Sequence, residues 1–205
     1  MHLEAIPEEN KNIFLDLNNF KDFYLAGGTS LALQIGHRVS VDFDFFSDEE
    51  ISKNLLFKVK RVFQDNKIVV SVNNSDELTI FVDDVKLTFL KYPFSVIFDY
   101  IKCQSIKLFN IKEIAASKAY TIGRRGSYKD YIDLYYILFE NHSDLNEIIE
   151  ISEKKYKDEF NSRLFLEQLI YLDDITDEEI IFLKDKISKE ELIAFFKKEI
   201  KKIIL

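Results

Sequence analysis

The spacing of apolar positions predicts three elements in the first third of the chain. Apolar residues at helical intervals predict a helix over 8–20, and the short apolar run at 23–26 predicts a buried strand that ends at two glycines. A second helix is then expected, capped by Thr29 or Ser30 and ended by Gly36. The amino-terminal part therefore alternates helix and strand.

The next segment, 40–46, alternates acidic and bulky apolar residues and predicts a strand. Three apolar residues are expected to face the core: Val41, Phe43 and Phe45. Asp42 and Asp44 occupy the alternate positions, so their carboxylates are expected to project to one common face. Two carboxylates on one face of a strand are an arrangement that suits a divalent metal ion.

The remaining pattern predicts one more helix, three strands and then a helical half. A helix is expected from Ser47 to about 65, because Ser47 and Glu50 have the spacing of a capping box. Content of Val, Ile, Thr and Phe predicts strands over 67–72, 77–82 and 85–91. Asp83 and Asp84 would form the hairpin turn between the last two strands. Helical periodicity predicts helices over 111–122, 127–140, 143–157, 161–170 and 177–202.

These elements together predict an α+β protein with a mixed sheet of four or five strands followed by a helical region. The expected division is a sheet-bearing core over 1–100 and a helical region over 101–205. The pattern shows no repeat and no low-complexity tract.

Composition and charge narrow the class of protein. A formal net charge of -8 argues against a protein that coats nucleic acid through bulk electrostatics. The single Cys103 excludes an internal disulfide, and no apolar run approaches the ~20 residues of a membrane span. One cysteine and three scattered histidines also exclude a four-ligand zinc site. We therefore expect a cytoplasmic protein with no membrane association.

Charge is unevenly distributed along the chain. Residues 39–50 contain five acids and no Lys or Arg, whereas residues 103–130 contain six basic residues, Arg125 among them, against two acids. An acidic segment is suited to hold metal and a basic one to hold phosphates, although each alone is also typical of a solvated surface.

A glycine turn at Gly27 and Gly28 directly precedes the two acids. Such a turn, leading into a helix start, offers backbone N–H groups and the positive end of the helix dipole to an anion such as a triphosphate. A phosphate site beside a metal site indicates nucleotide chemistry, since phosphoryl transfer uses metal ions to neutralise the reacting oxygens.

Three separated motifs carry a resemblance to a known family. They are LAGGTSLALQIGHRVSVDFDFF at 25–46, IAASK at 114–118 and RRGSYKDYIDLY at 124–135. In this order they resemble the AbiEii/AbiGii-type nucleotidyltransferase toxins of the DNA polymerase beta-like superfamily. The resemblance covers roughly residues 20–140, and it makes the first region a nucleotidyltransferase core and the helical region the part that completes the active site.

The resemblance also implies roles for individual residues. The phosphate-binding set would be Gly27, Gly28, Thr29, Ser30 and Arg38. Asp42 and Asp44 would bind Mg²⁺, Lys118 would meet the triphosphate, and Asp130 or Asp133 would complete the catalytic set. From the residues alone, Arg38 could equally serve the helix dipole, Lys118 could extend to solvent, and one of the two acids could simply pair with Lys129.

The implied activity is Mg²⁺-dependent transfer of NMP from an NTP to an acceptor hydroxyl. By the same resemblance the candidate acceptor is RNA, at the 3′ end of tRNA, and the protein would be a toxin restrained by a cognate antitoxin encoded nearby. The alternative is a catalytically inactive protein of the same fold that binds nucleotide or a protein partner.

One departure from the wider superfamily motivates that alternative. Many members have a third carboxylate on a later strand, where this chain has Lys86 and Thr88 on the outward face, and neither side chain holds magnesium well. A third interpretation is phosphate hydrolysis by a different Asp-x-Asp enzyme. A haloacid dehalogenase-like phosphatase would have Thr or Val at position 46, where this chain has Phe46, and it leaves the glycines unexplained.

Overall fold

The computed structural model describes residues 1–203, apart from the side chains at positions 123 and 125, so Arg125 in the basic segment lies outside the described residues. The α-helices are α1 (Lys11–Asp16), α2 (Gly27–Ile35), α3 (Leu55–Val62), α4 (Ile111–Arg125), α5 (Tyr128–Phe139), α6 (Leu145–Tyr156), α7 (Ser162–Leu169) and α8 (Lys189–Ile200). The strands are β1 (Tyr24–Leu25), β2 (Phe43–Ser47), β3 (Ile68–Asn73), β4 (Glu77–Val82), β5 (Val85–Lys91), β6 (Ile101–Cys103) and β7 (Ile106–Leu108).

Two compact units divide these elements. The first consists of Met1–Ser95 and Asp99–Phe109, and it contains the sheet. The second consists of Val96–Phe98 and the chain from Asn110 onward, and it contains helices α4 to α8.

The sheet of the first unit has the strand order β3-β4-β5-β2-β1-β7-β6. β2 runs parallel to β5 and β1 runs parallel to β7, whereas the other neighbours are antiparallel. The α+β class with a mixed sheet is therefore confirmed. The expected four or five strands were too few, because seven strands form within the described residues.

The two strands that the sequence did not predict are β6 and β7. Each has only three residues, too few for a period of two to be recognised. The turn that joins them, Gln104 and Ser105, has φ values of 54° and 111° without a glycine. The predicted hairpin turn at Asp83 and Asp84 is confirmed, with φ values of 46° and 71°.

Aromatic side chains fill the core of the first unit. Phe43 stacks on Phe14 with ring centroids 5.9 Å apart, and Phe45 stacks on Phe89 at 5.7 Å. Phe43 and Phe45 face the core as expected, but Val41 does not, since 46% of it is exposed. The reason is that β2 begins only at Phe43, so strand alternation does not extend to position 41.

Two predicted helix starts were wrong. α2 begins at Gly27, with Ala26 at its N-cap, so Thr29 and Ser30 lie inside the helix rather than at its cap. α3 begins at Leu55, because Ser47 pairs with Lys91 as the last residue of β2 and is not available as a helix cap. The predicted stop of α2 at Gly36 is confirmed by a left-handed backbone with φ of 65°.

In the second unit, the last predicted helix was too long. Helix α8 spans Lys189–Ile200 and starts with a capping box between Ser188 and Glu191. Residues 96–98 belong to this unit because the buried carboxylate of Glu113 accepts hydrogen bonds from the N–H groups of Ile97 and Phe98 and pairs with Lys155. Burial lowers the pKa of Lys155 more than its contact with Glu113 raises it. None of the described helices is both long and apolar enough to cross a bilayer.

Candidate active site

Gly27 and Asp44 lie directly against each other in the first unit. The backbone N–H of Ala26 donates to the carbonyl oxygen of Asp44 over 2.8 Å, which continues the pairing of β1 with β2 by one residue. Gly27 has φ of +63°, and a Cβ added to it would lie 2.9 Å from Oδ2 of Asp44. Only glycine therefore allows both this backbone and this carboxylate position.

The amino terminus of α2 is open to a ligand. Its first N–H groups have no partner within the helix, and the Ala26 side chain offers no cap. Gly27 and Gly28 are partly exposed at this point. Backbone donors and the positive dipole end of a nine-residue helix therefore meet at a surface where an anion can bind.

The hydroxyl groups of Thr29 and Ser30 are turned into the protein. Both residues are buried, and Thr29 donates its hydroxyl proton to the carbonyl oxygen of Asp42. Ser40 then donates to Thr29, with the two oxygens 2.7 Å apart, and Ser30 donates to the carbonyl of Phe109 over 3.4 Å. These two side chains fix the turn, which leaves the backbone of the turn to face a ligand.

The two acids have different environments. Asp44 lies within β2, is partly buried and faces the glycine turn, whereas Asp42 precedes the strand and is exposed. The alternation argument for a common face therefore applies to Asp44 but not to Asp42. The backbone of Asp42 is held in place through Thr29.

Thr88 lies on β5, the strand on which the resemblance led us to look for a third carboxylate. It pairs in register with Asp44 on the neighbouring parallel strand β5. The Oγ1 atom of Thr88 is buried and has no hydrogen-bond partner within the described part of the chain. The sequence correctly placed Thr88 in line with the acids, and the structure adds that it is directly opposite Asp44.

Arg38 is packed inside the first unit. Only 3% of it is exposed, and its guanidinium donates to the carbonyl of Val39 over 3.1 Å. The preceding His37 is fully buried. The buried guanidinium of Arg38 is therefore not displayed on the surface, where the sequence led us to expect phosphate binding.

The second unit contains a buried cluster of one lysine and two acids. Nζ of Lys118, on α4, lies 2.6 Å from Oδ1 of Asp130 and 2.6 Å from Oδ2 of Asp133, both on α5. All three residues are at least 93% buried. Lys118 therefore does not extend to solvent, and the candidate partner of Asp133, Lys129, instead pairs with Glu178 at 3.1 Å.

The acids of the first unit fit a hard divalent cation that is completed by substrate. Among the described residues, no group of three or more His, Cys, Asp or Glu side chains is placed to form a metal site from protein ligands alone. Mg²⁺ is commonly bound by one or two carboxylates together with water and substrate phosphates. Asp44 and Asp42, beside an anion-binding helix terminus, supply that type of partial ligand set.

Sequence reasoning missed two residues that support the turn. Gln34 donates from its amide to the carbonyl oxygens of Ser30 and Phe109, over 2.9 and 2.8 Å. Ser40 holds the hydroxyl of Thr29. Gln34 lies one helical turn after Ser30, and this spacing is the signal that could have found it.

Comparison with known proteins gives the family. The family described as nucleotidyl transferase AbiEii toxin, type IV TA system, matches residues 13–204. An uncharacterised protein from Aquifex aeolicus (strain VF5) is 30% identical over 185 residues, which cover 89% of this chain and 88% of that protein.

Solved structures share the fold at low sequence identity. MenT4, a nucleotidyltransferase toxin from Mycobacterium tuberculosis H37Rv, has a TM-score of 0.60 and 15% identity, over 92% of this chain and 80% of that one. A candidate nucleotidyltransferase from H. pylori has a TM-score of 0.57 and 19% identity, over 96% of each chain. The predicted fold class and the predicted class of enzyme are confirmed, and the chain belongs to the AbiEii family of nucleotidyl transferase toxins of type IV toxin–antitoxin systems.

Proposed function

We propose that this enzyme uses Mg²⁺ to transfer NMP from an NTP to an acceptor hydroxyl, and that the acceptor is the 3′ end of tRNA. The observation that carries the proposal is the Asp44 carboxylate held against Gly27 at the open amino terminus of α2. A nucleoside triphosphate with its cation requires an anion-binding turn for the phosphates and a carboxylate for the cation, and here the two are in contact.

In the first unit, the backbone N–H groups at Gly27 and Gly28 bind the phosphate tail of the NTP. Thr29 and Ser30 keep the turn in shape through their buried hydrogen bonds. Because these supports are internal, the turn is preorganised before substrate arrives, and little ordering is needed on binding.

Asp42 and Asp44 would hold Mg²⁺, with phosphate oxygens and water as the remaining ligands. When bound, the cation neutralises charge that develops on the attacking and leaving oxygens. The exposed position of Asp42 leaves its carboxylate able to turn toward a ligand, whereas Asp44 is already in place.

In the second unit, we assign Lys118 to the triphosphate and Asp130 and Asp133 to its positioning. Carboxylate oxygens of Asp130 and Asp133, each 2.6 Å from the ammonium nitrogen, hold the Lys118 side chain in place from two sides.

The reaction forms a bond between the acceptor oxygen and the α-phosphorus of the NTP. The bond from the α-phosphorus to the bridging oxygen of the β-phosphate breaks, and pyrophosphate leaves with that electron pair. The hydroxyl proton passes to a carboxylate or to water. No oxidation or reduction occurs.

The toxin assignment comes with the family, and the remaining parts of the biological role are proposed. The family is described as a type IV toxin–antitoxin system, which supports a cognate antitoxin, and the RNA acceptor is part of the proposal. We place the activity in the cytoplasm, where NTP and tRNA are both present.

The proposal is tested by incubating the purified enzyme with each labelled NTP, Mg²⁺ and total tRNA, and then repeating the assay with Asp44→Ala. We expect labelled tRNA with the native enzyme and at least a hundredfold loss in the variant, the order seen when a single essential charged group is removed. Asp48→Ala, which removes an exposed acid beyond β2, is the matched control and should retain activity. Labelling at native rates by Asp44→Ala would refute the assignment.

The second candidate, a protein that binds nucleotide without turning it over, is favoured by Thr88 standing opposite Asp44. Calorimetry with a non-hydrolysable NTP distinguishes the two. Metal-independent binding together with no labelled product from any acceptor would favour the binding protein.

A further inference from the structure

A lysine-lined cavity lies in the first unit at the turn of the β6–β7 hairpin. Its volume is about 540 Å³, and its lining is Leu17, Asn18, Phe20, Lys21, Phe23, Phe45, Lys102, Gln104, Ser105, Ile106 and Lys107. The lining contains three lysines and no acid, although the chain as a whole has a net charge of -8. Positive charge is therefore concentrated here against the trend of the whole protein.

Two of these lysines are placed where they repel each other. Lys102 on β6 and Lys107 on β7 are direct cross-strand partners, and both are exposed. Like charges at directly opposite positions destabilise a strand pair. Within residues 1–203, none of Lys21, Lys102 and Lys107 forms an ion pair that would offset the repulsion.

The turn beside these lysines lines the cavity through Gln104 and Ser105. Both have positive φ, at 54° and 111°, as a two-residue hairpin turn requires. The repulsion between the two lysines, with no compensating ion pair in the described chain, indicates a surface that suits an anionic ligand.

The sheet register places the two lysines of this hairpin on the same face as Asp44, whereas Phe45 and Ile106 of the cavity lining lie on the opposite face. Tyr24 pairs with Phe46, and Leu25 pairs with both Phe45 and Leu108. Because side chains alternate along strands, Lys107 and Lys102 share a face with Phe46 and hence with Asp44. Strand spacing and rise place the Cα atoms of Lys107 and Asp44 on the order of 12 Å apart.

Aromatic rings accompany the lysines on that face. Nζ of Lys107 lies 5.7 Å from the centroid of the Tyr100 ring, and Tyr100 is 37% exposed. Its ring is tilted against that of Tyr24 at 4.9 Å. A lysine pair next to an exposed aromatic ring is the combination that single-stranded nucleic acid uses, with phosphates on the cations and a base on the ring.

We propose that Lys102 and Lys107, with Tyr100, bind the backbone of the single-stranded RNA acceptor a few nucleotides away from the reacting end. This inference rests on the proposed transfer to RNA, and it adds where the acceptor is held. The net negative charge of the chain repels RNA in general. The cationic track formed by Lys102 and Lys107 therefore favours acceptors that are long enough to reach both these lysines and Asp44.

The test measures binding of a labelled single-stranded RNA, without NTP, by fluorescence anisotropy over a range of salt concentrations. The proteins are the native enzyme, the double variant Lys102→Gln/Lys107→Gln and the matched control Lys53→Gln/Lys60→Gln, which removes two exposed lysines of the same unit outside the cavity. We expect the cavity variant to weaken binding about tenfold and to lower the slope of log affinity against log salt by about 1.4. The control should bind as the native enzyme does.

Two further readouts separate ligand binding from a structural role. The cavity variant should have a melting temperature equal to or above that of the native enzyme, because the like-charge pair is removed. In the transfer assay, it should raise KM for long acceptors and leave transfer to a dinucleotide unchanged. A lower melting temperature of this variant with unchanged RNA affinity would overturn the inference. A native enzyme that binds vesicles of phosphatidylglycerol and phosphatidylcholine but not the labelled RNA would also overturn it.

Failure of the two proposals can be distinguished. If RNA binding depends on Lys102 and Lys107 but the protein transfers no nucleotide, the proposed reaction is wrong and the RNA-binding site stands. If the protein transfers nucleotide to tRNA but its RNA affinity does not depend on the two lysines, the reaction stands and the RNA-binding site is wrong. Asp44→Ala should bind RNA as the native enzyme does, since Asp44 is not part of the track.

Discussion

At position 27 the backbone has φ of +63°, and the nearest side-chain atom to an added Cβ would be Oδ2 of Asp44. Glycine is needed here for two independent reasons, namely the left-handed backbone and the space taken by the carboxylate. The sequence showed two adjacent glycines but not which of them requires a left-handed backbone. That depends on the φ angle at which the turn enters α2, and the structure assigns the positive φ to Gly27.

Gly27→Ala should therefore lower both stability and activity. We expect a loss of about 1–2 kcal/mol in the free energy of unfolding from the backbone alone, measured by urea denaturation. Nucleotide transfer should fall further than stability explains, because the added methyl group displaces Asp44. Gly36→Ala, at a φ of +65° and away from the acids, is the control that loses stability without this additional loss in transfer per folded molecule. Full transfer by Gly27→Ala would contradict the role given to the turn.

Thr88 gives a second prediction at the level of a single side chain. Its buried hydroxyl has no partner within the described chain, so Thr88→Val should raise the free energy of unfolding by about 1 kcal/mol. Thr79, directly opposite on β4, donates its hydroxyl to Glu77 over 2.5 Å, so Thr79→Val should give no such gain. Equilibrium unfolding of both variants decides the point. Destabilisation by Thr88→Val would show that the hydroxyl is satisfied in solution.

At the scale of elements, helices α4 and α5 are joined by the cluster of Lys118, Asp130 and Asp133. Sequence spacing placed the two acids on one face of α5, three residues apart, and left open whether either was structural. The structure shows that both contact the same ammonium group. Their roles in positioning and in holding the helices together are therefore linked.

Lys118→Met should destabilise the second unit by about 3–5 kcal/mol at neutral pH, because it removes the buried ammonium group that both carboxylates contact. Lys112→Met is the control on the same helix: its pair with Glu147 is about one-third exposed, so the loss should be no more than about 1 kcal/mol. Chemical denaturation followed by far-UV circular dichroism measures both. Equal effects of the two variants would show that the Lys118 cluster contributes no more than a surface ion pair.

At the scale of the whole molecule, acid should unfold the protein through carboxylates that are paired in the folded state. Burial alone would raise the pKa of Glu140, but hydrogen bonds from Lys184 and His142 outweigh burial and hold the pKa below its ordinary 4.5. Burial would likewise raise the pKa of Glu147, but the hydrogen bonds from Lys112 and Ser143 outweigh burial and hold the pKa below its ordinary value. A lowered folded-state pKa contributes stability that is present above pH 4.5 and is lost as the pH falls through the folded-state value.

We therefore expect the free energy of unfolding to be nearly constant from pH 7 to pH 5 and to fall below pH 4.5. Urea titrations at several pH values measure this. The double variant Glu140→Gln/Glu147→Gln should be less stable at pH 7 and should lose less on acidification. Stability that rises on acidification below pH 4.5 would contradict the assignment.

The sequence by itself determined the α+β class, the longer strands and the helices α4 to α7 to within a few residues, because a periodicity sustained over several residues leaves little choice of element. It also determined that Gly27, Gly28, Asp42 and Asp44 belong to one local segment. These features depend on neighbours along the chain.

Only the tertiary structure decided the features that depend on neighbours in space. Strands β6 and β7 are too short to be recognised alone and form because β7 pairs with β1. Ser47 ends a strand instead of capping a helix because it pairs with β5. The hydroxyl of Thr29 points inward because it forms hydrogen bonds with Ser40 and with the backbone carbonyl of Asp42. The placement of Lys107 on the face of Asp44 is likewise a result of register. Such contacts join residues distant in sequence, and local propensity does not contain the energy that fixes them.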